Sequence, residues 1–458
     1  MENKLYCGAA RRIVTPPEAL LPNLRGNVGA EFNAVLDDLN VRVIALGDGT
    51  TRALIICFES GYPCNDELFE RIEQTYGIPP ENVMLLQTHV HAAPMINGAV
   101  NRGVINPRKH VNNFLEYPEE VQKATISYVE FLMEQMFSAI DEAIASMQPA
   151  RMGHEQGESL INVCRNQRYI STDGRSVKYA LGADAAAPID HTLFVMRFET
   201  LDGKPIAFLI NYPVHNCVMV FNHCGKDGKG AISSDISGRA CRYLEQEFDG
   251  CVALWTSGAA GDVNPVFGNE LFYPDPVTGG PVQLETKGGE IANAILEVLS
   301  ARHYADILSV IRKIEYTTDK TRINGVIEWS ATPGVDGEDR IVEDLYQVRL
   351  HLLRVGDVGL FGASGELFDS LGRLIKETSP MKHTVVLNHD ARDLANSEYI
   401  YDDEAFLHSP GLVQSPADAI PKSGLGGGIV AINHSQMVPG YFPDSLKRHT
   451  RSMFEKVL

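Results

Sequence analysis

Positive charge is the first thing this chain of 458 residues has too little of. Its 40 lysines and arginines face 59 aspartates and glutamates, a formal net charge of −19. That balance excludes the basic footprint a nucleic-acid partner requires. Long apolar runs are missing too: none approaches the roughly 20 residues that span a bilayer. The start, Met1 to Cys7, has no basic segment followed by an apolar one, so neither a membrane partner nor a secretory signal is expected. Cysteine is scarce, eight in all and without regular spacing. This argues against a disulfide framework and for reduced thiols in a cytoplasmic protein. No low-complexity or linker-like tract interrupts the chain, so one domain over residues 1–458 is expected. What is present, 44% hydrophobic and 22% charged residues, suits a globular protein with a sizeable core.

Three hairpins are written in the pattern. Val41 to Leu46 and Ala53 to Phe58 flank Gly47-Asp48-Gly49-Thr50, and Thr192 to Phe198 and Pro205 to Tyr212 flank Leu201-Asp202-Gly203-Lys204. Leu345 to Val355 and Val358 to Phe361 flank Gly356-Asp357. Each is a pair of β-rich runs around a Gly/Asp turn. Helices are expected over Asp66 to Tyr76, after Pro118 through Met147, over Ser234 to Phe248 with Ser234 or Asp235 as N-cap, over Gly288 to Ala301, and over Leu367 to Lys376. Further strands are expected at Val83 to Leu86 and Cys251 to Trp255. Asn97 to Tyr117 and Tyr399 to Gly428, the latter containing Gly424-Leu425-Gly426-Gly427-Gly428, read as ordered loops over a site. The fold class that follows is α/β in the mixed α+β sense: layered mixed sheets flanked by helices.

Three apolar strands end in a residue that can bind a metal. Val83-Met84-Leu85-Leu86 leads to Thr88-His89-Val90-His91, and Ile206 to Ile210 leads to Pro213-Val214-His215. Val358 to Phe361 leads to Gly362-Ala363-Ser364-Gly365-Glu366. Residues two apart on an extended chain point to one side, so His89 and His91 are expected to face one cleft. Each element also has a plain structural reading: a partly buried histidine pair, a satisfied core histidine, a carboxylate that charge-balances a following helix. Cys217, His223 and Cys224 near His215 match no zinc-finger spacing and read as incidental thiols. The small-residue turn Ser257-Gly258-Ala259-Ala260-Gly261-Asp262-Val263-Asn264-Pro265 lets backbone approach a ligand closely.

Taken together these segments resemble the catalytic domain of the neutral/alkaline ceramidases, a zinc-dependent family that hydrolyses an N-acyl amide bond. Thr88-His89-Val90-His91-Ala92-Ala93-Pro94 is similar to its Thr-His-Thr-His-Ser-Gly-Pro. Val214-His215 resembles its second histidine segment, and Ile232-Ser233-Ser234-Asp235 its Ile-Ser-Gly-Asp. Gly261-Asp262-Val263-Asn264-Pro265 is similar to Gly-Asp-Val-Ser-Pro, and Ser364-Gly365-Glu366-Leu367-Phe368 to Pro-Gly-Glu-Phe-Thr. The resemblance implies Zn²⁺ held by His89, His215, Glu366 and a tyrosine, Tyr399 or alternatively Tyr401. It implies His91 as the proton-handling group, Arg165 facing the substrate, and Gly261 and Asp262 in the substrate-binding turn.

Two departures change the functional expectation. Asn264 stands where the family has serine, and an amide cannot be acylated as a hydroxyl can. Metal-activated water then remains as the attacking species. The family also carries a C-terminal immunoglobulin-like domain, whereas this chain ends soon after its last matching segment. The expectation is a zinc-dependent hydrolase acting on a small soluble substrate, an amide by resemblance, with ceramide itself disfavoured and a homo-oligomer compatible. One alternative keeps zinc but acts on a carbohydrate-like metabolite by ester or glycoside hydrolysis or lyase chemistry. The other is a zinc-stabilised binding protein without turnover.

Overall fold

A computed structural model describes residues 4–26, 29–61, 66–96, 114–170, 177–268, 272–274, 281–283, 289–318, 321–335, 340–391, 399–403, 437–438 and 440–458. Most of the two expected site loops, residues 97–113 and 404–428, falls outside these residues.

The expected hairpins form with their turns where the Gly/Asp signals lie. Asn40–Gly47 pairs antiparallel with Arg52–Phe58, Thr192–Thr200 with Pro205–Tyr212, and Ile341–Val355 with Val358–Ala363. Among the described residues a nine-stranded mixed sheet runs in the order Val252–Ser257, Pro205–Tyr212, Thr192–Thr200, Gln148–Glu158, Tyr6–Ile13, Asn40–Gly47, Arg52–Phe58, Val83–Gln87, with Tyr316–Thr318 added beside Gln148–Glu158. Two of its pairings are parallel, and they bring Val83–Gln87 beside Arg52–Phe58 and Val252–Ser257 beside Pro205–Tyr212. A four-stranded sheet consists of Ile323–Val335, Ile341–Val355, Val358–Ala363 and His383–Leu387.

Alternation along single strands sorts residues into two cores, because successive side chains leave opposite faces. Val43 and Ala45 enter one core, with Tyr128, Leu132 and Met136 of the helix Glu119–Ala145. Ile44 and Leu46 enter another, with Leu353, Leu360 and Val385 of the four-stranded sheet. The helices Asp235–Glu247 and Gly289–Ile311 cover the Pro205–Tyr212 end of the large sheet, around Phe208, Trp255 and Leu296. Asp369–Thr378 and Phe442–Val457 cover the outer face of the small sheet, around Phe361, Leu371 and Phe454. The result is helix, sheet, sheet, helix: the layered α+β architecture expected. No helix among the described residues is long and apolar enough to cross a membrane.

Two boundaries and one capping role differ from expectation. The helix expected to stop at Ala301 continues to Ile311, because the apolar pattern Leu296, Leu299, Ile307, Val310 remains buried against the sheet. The helix expected from Leu367 starts at Asp369, since Glu366–Leu367 pairs as a short parallel strand with Tyr399–Ile400. Ser234 is the N-cap residue of its helix but caps nothing with its side chain. Its hydroxyl instead donates to Asp37, and Asp235, at φ 53°, accepts from the Met219 amide at 2.9 Å.

Candidate metal centre

Val83–Gln87 is buried at every position and ends one residue before the Thr-His-Val-His segment. His89 then adopts a left-handed backbone, φ 61°, and His91 is held by its amide donating to the Asn216 carbonyl at 2.9 Å. This turn, rather than strand alternation, brings the two rings together, with His91 Nε2 3.1 Å from His89 Nε2. His215 follows the strand Pro205–Tyr212, and its amide donates to the Val263 carbonyl at 3.0 Å. Glu366 arrives from the far side of the cleft, in the short strand paired with Tyr399–Ile400. The three strand ends do converge. Glu366 Oε2 lies 3.4 Å from His89 Nε2 and 3.3 Å from His215 Nε2, with Glu366 and His215 almost fully buried.

The protonation pattern follows from the partners. Burial pushes the His89 pKa down to about 3, against the opposing pull of Glu366. Burial and then the Arg165 charge lower His215. Both rings are therefore neutral near pH 7. His215 Nδ1 faces the Val263 carbonyl at 3.1 Å, and a carbonyl only accepts, so the ring proton sits on Nδ1. Nε2 is then an unprotonated lone pair, with a carboxylate oxygen 3.3 Å away and Arg165 Nη1 at 3.5 Å. Two acceptors face each other, and a cation between them resolves the contact. Donors around a tetrahedral cation at 2.0–2.1 Å stand roughly 3.3–3.4 Å apart, which matches both Glu366 distances. The residues present fit a zinc-type ion, and the backbone carbonyl on His215 Nδ1 is the usual device for orienting such a ligand.

Around this trio stand the other expected residues. Tyr399 lies with its ring parallel to His215, centroids 6.5 Å apart, and the Arg165 guanidinium sits 5.1 Å above the Tyr399 ring. Tyr401 points elsewhere: its hydroxyl donates to the Met437 carbonyl at 2.9 Å, and its ring packs on Phe368. Arg165 Nη2 donates to the Gly261 carbonyl at 2.6 Å, while Nη1 reaches Asn264 Oδ1 at 3.4 Å and His215 Nε2 at 3.5 Å. Asn264 is fully buried, and among the described residues its amide nitrogen has no hydrogen-bond partner. Asp262 Oδ1 accepts from the Asp369 amide at 2.8 Å. Its carboxyl is pushed up to about 7 by burial and by Asp369. Gly261 is needed for space: a Cβ there would come within 2.5 Å of the Glu366 carbonyl oxygen.

One residue of the cluster escaped the sequence reading. His389, buried and at φ 60°, stacks on His89 with centroids 4.2 Å apart, and its Nδ1 lies 3.3 Å from Gln87 Nε2. It forms one potential ligand group with His89 and Glu366, just as His91 forms one with His89 and His215. The signal was there, since Val385-Val386-Leu387 is a fourth apolar strand ending in a ligand type, Asn388-His389-Asp390. Among the described residues Cys217 and Cys224 join no such group, and no disulfide forms.

No protein-family model and no curated protein matches the chain. Solved structures do. A structure described as ceramidase complexed with C2 matches 99% of this chain and 74% of its own at 15% identity and a TM-score of 0.63. A neutral ceramidase from Pseudomonas aeruginosa matches 99% and 75% at 14% identity and a TM-score of 0.60. The chain therefore has a neutral-ceramidase-like fold.

Proposed function

We propose that the chain is a zinc-dependent hydrolase that cleaves an amide-type bond in a small soluble substrate, working as a single cytoplasmic domain. The observation that carries this is the buried Glu366 carboxylate facing the bare His215 Nε2 and His89 Nε2 at 3.3 and 3.4 Å, which asks for a cation. His89, His215 and Glu366 would hold the zinc, with Tyr399 beside them. When bound, zinc supplies Lewis acidity toward the scissile carbonyl and lowers the pKa of water to about 7.

The chain's own groups do the rest. His91, with Nε2 at the edge of the cluster, takes the proton from the attacking water and returns it to the leaving nitrogen. The Asn264 amide, unpartnered among the described residues, and the Arg165 guanidinium stabilise the developing oxyanion as preorganised donors that need no reorganisation. Asp262 and Gly261 shape the turn on which Arg165 rests. The polar character of this wall, Arg165 with Asn264, also favours a second reading: a carbohydrate-like metabolite whose ester or glycosidic bond is cleaved.

Metal content and product labelling test the proposal. Protein purified without added metal is expected to carry zinc, and the double variant His89→Ala/His215→Ala to carry about one equivalent less per chain. Equal content in both removes the centre from consideration. On a panel of soluble N-acyl amides in ¹⁸O water, one labelled oxygen is expected in the released acid. Turnover on sugar esters with none on amides selects the second reading.

A further inference from the structure

A separate group of ligating side chains stands where the two sheets meet. His154 belongs to Gln148–Glu158 of the large sheet, Asp357 to the turn between Ile341–Val355 and Val358–Ala363, and His383 opens the strand His383–Leu387. Register explains the meeting. Val358 lies directly opposite His383, so Asp357 is its neighbour at the sheet end. The turn itself presses on the large sheet: a Cβ on Gly356, at φ 65°, would come within 2.7 Å of Met152 Cε, two residues before His154.

His154 Nε2 lies 3.2 Å from Asp357 Oδ1, and the His154 and His383 rings are 4.4 Å apart at 60°. One ligand atom from each of the three lies within 4.8 Å of the other two. Phe194 stacks on His154 at 5.6 Å and fixes its ring plane. A simple ion pair accounts for His154 and Asp357 alone. It leaves a second imidazole turned onto the first, with ring centroids 4.4 Å apart.

We propose that His154, Asp357 and His383 form a second divalent-metal site, of the class filled by Zn²⁺, Co²⁺ or Ni²⁺, which ties the two sheets together. Two imidazoles and one carboxylate are a donor set that suits these borderline cations. The 3.2 Å nitrogen–oxygen separation is close to the roughly 3.3 Å expected of neighbouring donors around such an ion. The site shares no residue with the His89 centre, so its occupancy stands apart from the proposed reaction.

The test is titration of the metal-stripped full chain with Co²⁺, followed by visible absorption and by thermal denaturation with and without the ion. Asp357→Ala alters an exposed turn residue and leaves the metal-free Tm in place; His383→Gln removes a second ligand. Each is expected to bind one Co²⁺ fewer at low micromolar ion, or to bind it at least ~10–100-fold more weakly, the loss typical of disturbing a metal site. Each is also expected to show a smaller Co²⁺-dependent rise in Tm than the wild type, keeping only the part that the His89 centre supplies. Co²⁺ stoichiometry and affinity equal to wild type in both variants overturns the proposal.

Discussion

His91 Nε2 lies 3.1 Å from His89 Nε2, although the strand that leads to them has already ended at Gln87. The contact is made by the left-handed turn at His89 and by the Asn216 carbonyl that holds the His91 amide. A side chain in that backbone region costs about 1–2 kcal/mol, which glycine does not incur. His89→Gly and His89→Ala are both expected to abolish zinc binding at the centre. In metal-free urea denaturation, however, the glycine variant should be more stable than the alanine variant by roughly 1 kcal/mol. Equal midpoints would show that the fold does not force the turn and that the histidine chooses it.

Glu366 gives a second, sharper expectation. Its carboxylate faces a His215 nitrogen whose proton is committed to the Val263 carbonyl. In Glu366→Gln an amide N–H can donate to that nitrogen, so an unfavourable acceptor pair becomes a hydrogen bond. With chelator present the variant should be the more stable protein, by on the order of 1–3 kcal/mol. With zinc present the order should invert, because a ligand and its charge are lost. Thermal melts in the two conditions show whether the curves cross.

The sequence made the hairpins legible because each carries its own Gly/Asp turn between β-rich runs, and local signals survive into the fold. It made His89, His215 and Glu366 legible because each terminates an apolar strand. How these ends meet was not legible, since that depends on parallel pairings such as Arg52–Phe58 with Val83–Gln87, whose partners lie far apart in the chain. His389 obeys the same rule, following the apolar run Val385-Val386-Leu387. The choice between Tyr399 and Tyr401 could not be read from spacing. Packing separates them: one ring lies on His215, and the other sends its hydroxyl to Met437.

Asn264 stands where the resemblance and the chemistry part, and its amide nitrogen has no partner among the described residues. A buried donor left unpaired costs the free protein about 1–3 kcal/mol. Removing it relieves that cost, which offsets the small void and the loss of Oδ1 as a distant 3.4 Å acceptor for Arg165 Nη1. Asn264→Ala is expected to change stability by less than ~1 kcal/mol while lowering kcat about 10²-fold or more, the usual cost of losing one oxyanion donor. Zinc content should be unchanged. A variant with full activity would take Asn264 out of the reaction.

Asp262 supplies the pH test. Burial, repulsion from Asp369 and a lesser contribution from Asp402 raise its carboxyl from 3.8 to about 7, against the Asp369 amide and the Arg165 charge, which act the other way. A folded pKa above the unfolded one means that the native state keeps a proton the unfolded chain has released. Stability is then lost as pH rises from about 4 to about 7, with a slope of up to ~1.4 kcal/mol per pH unit from this group. Asp262→Asn keeps an oxygen to accept from the Asp369 amide and has nothing to ionise. The difference in unfolding free energy between variant and wild type should therefore grow in the variant's favour across that window and level off above it. A difference that stays constant from pH 4 to 7 would mean that Asp262 is ionised in the folded protein, and that Arg165 outweighs its burial.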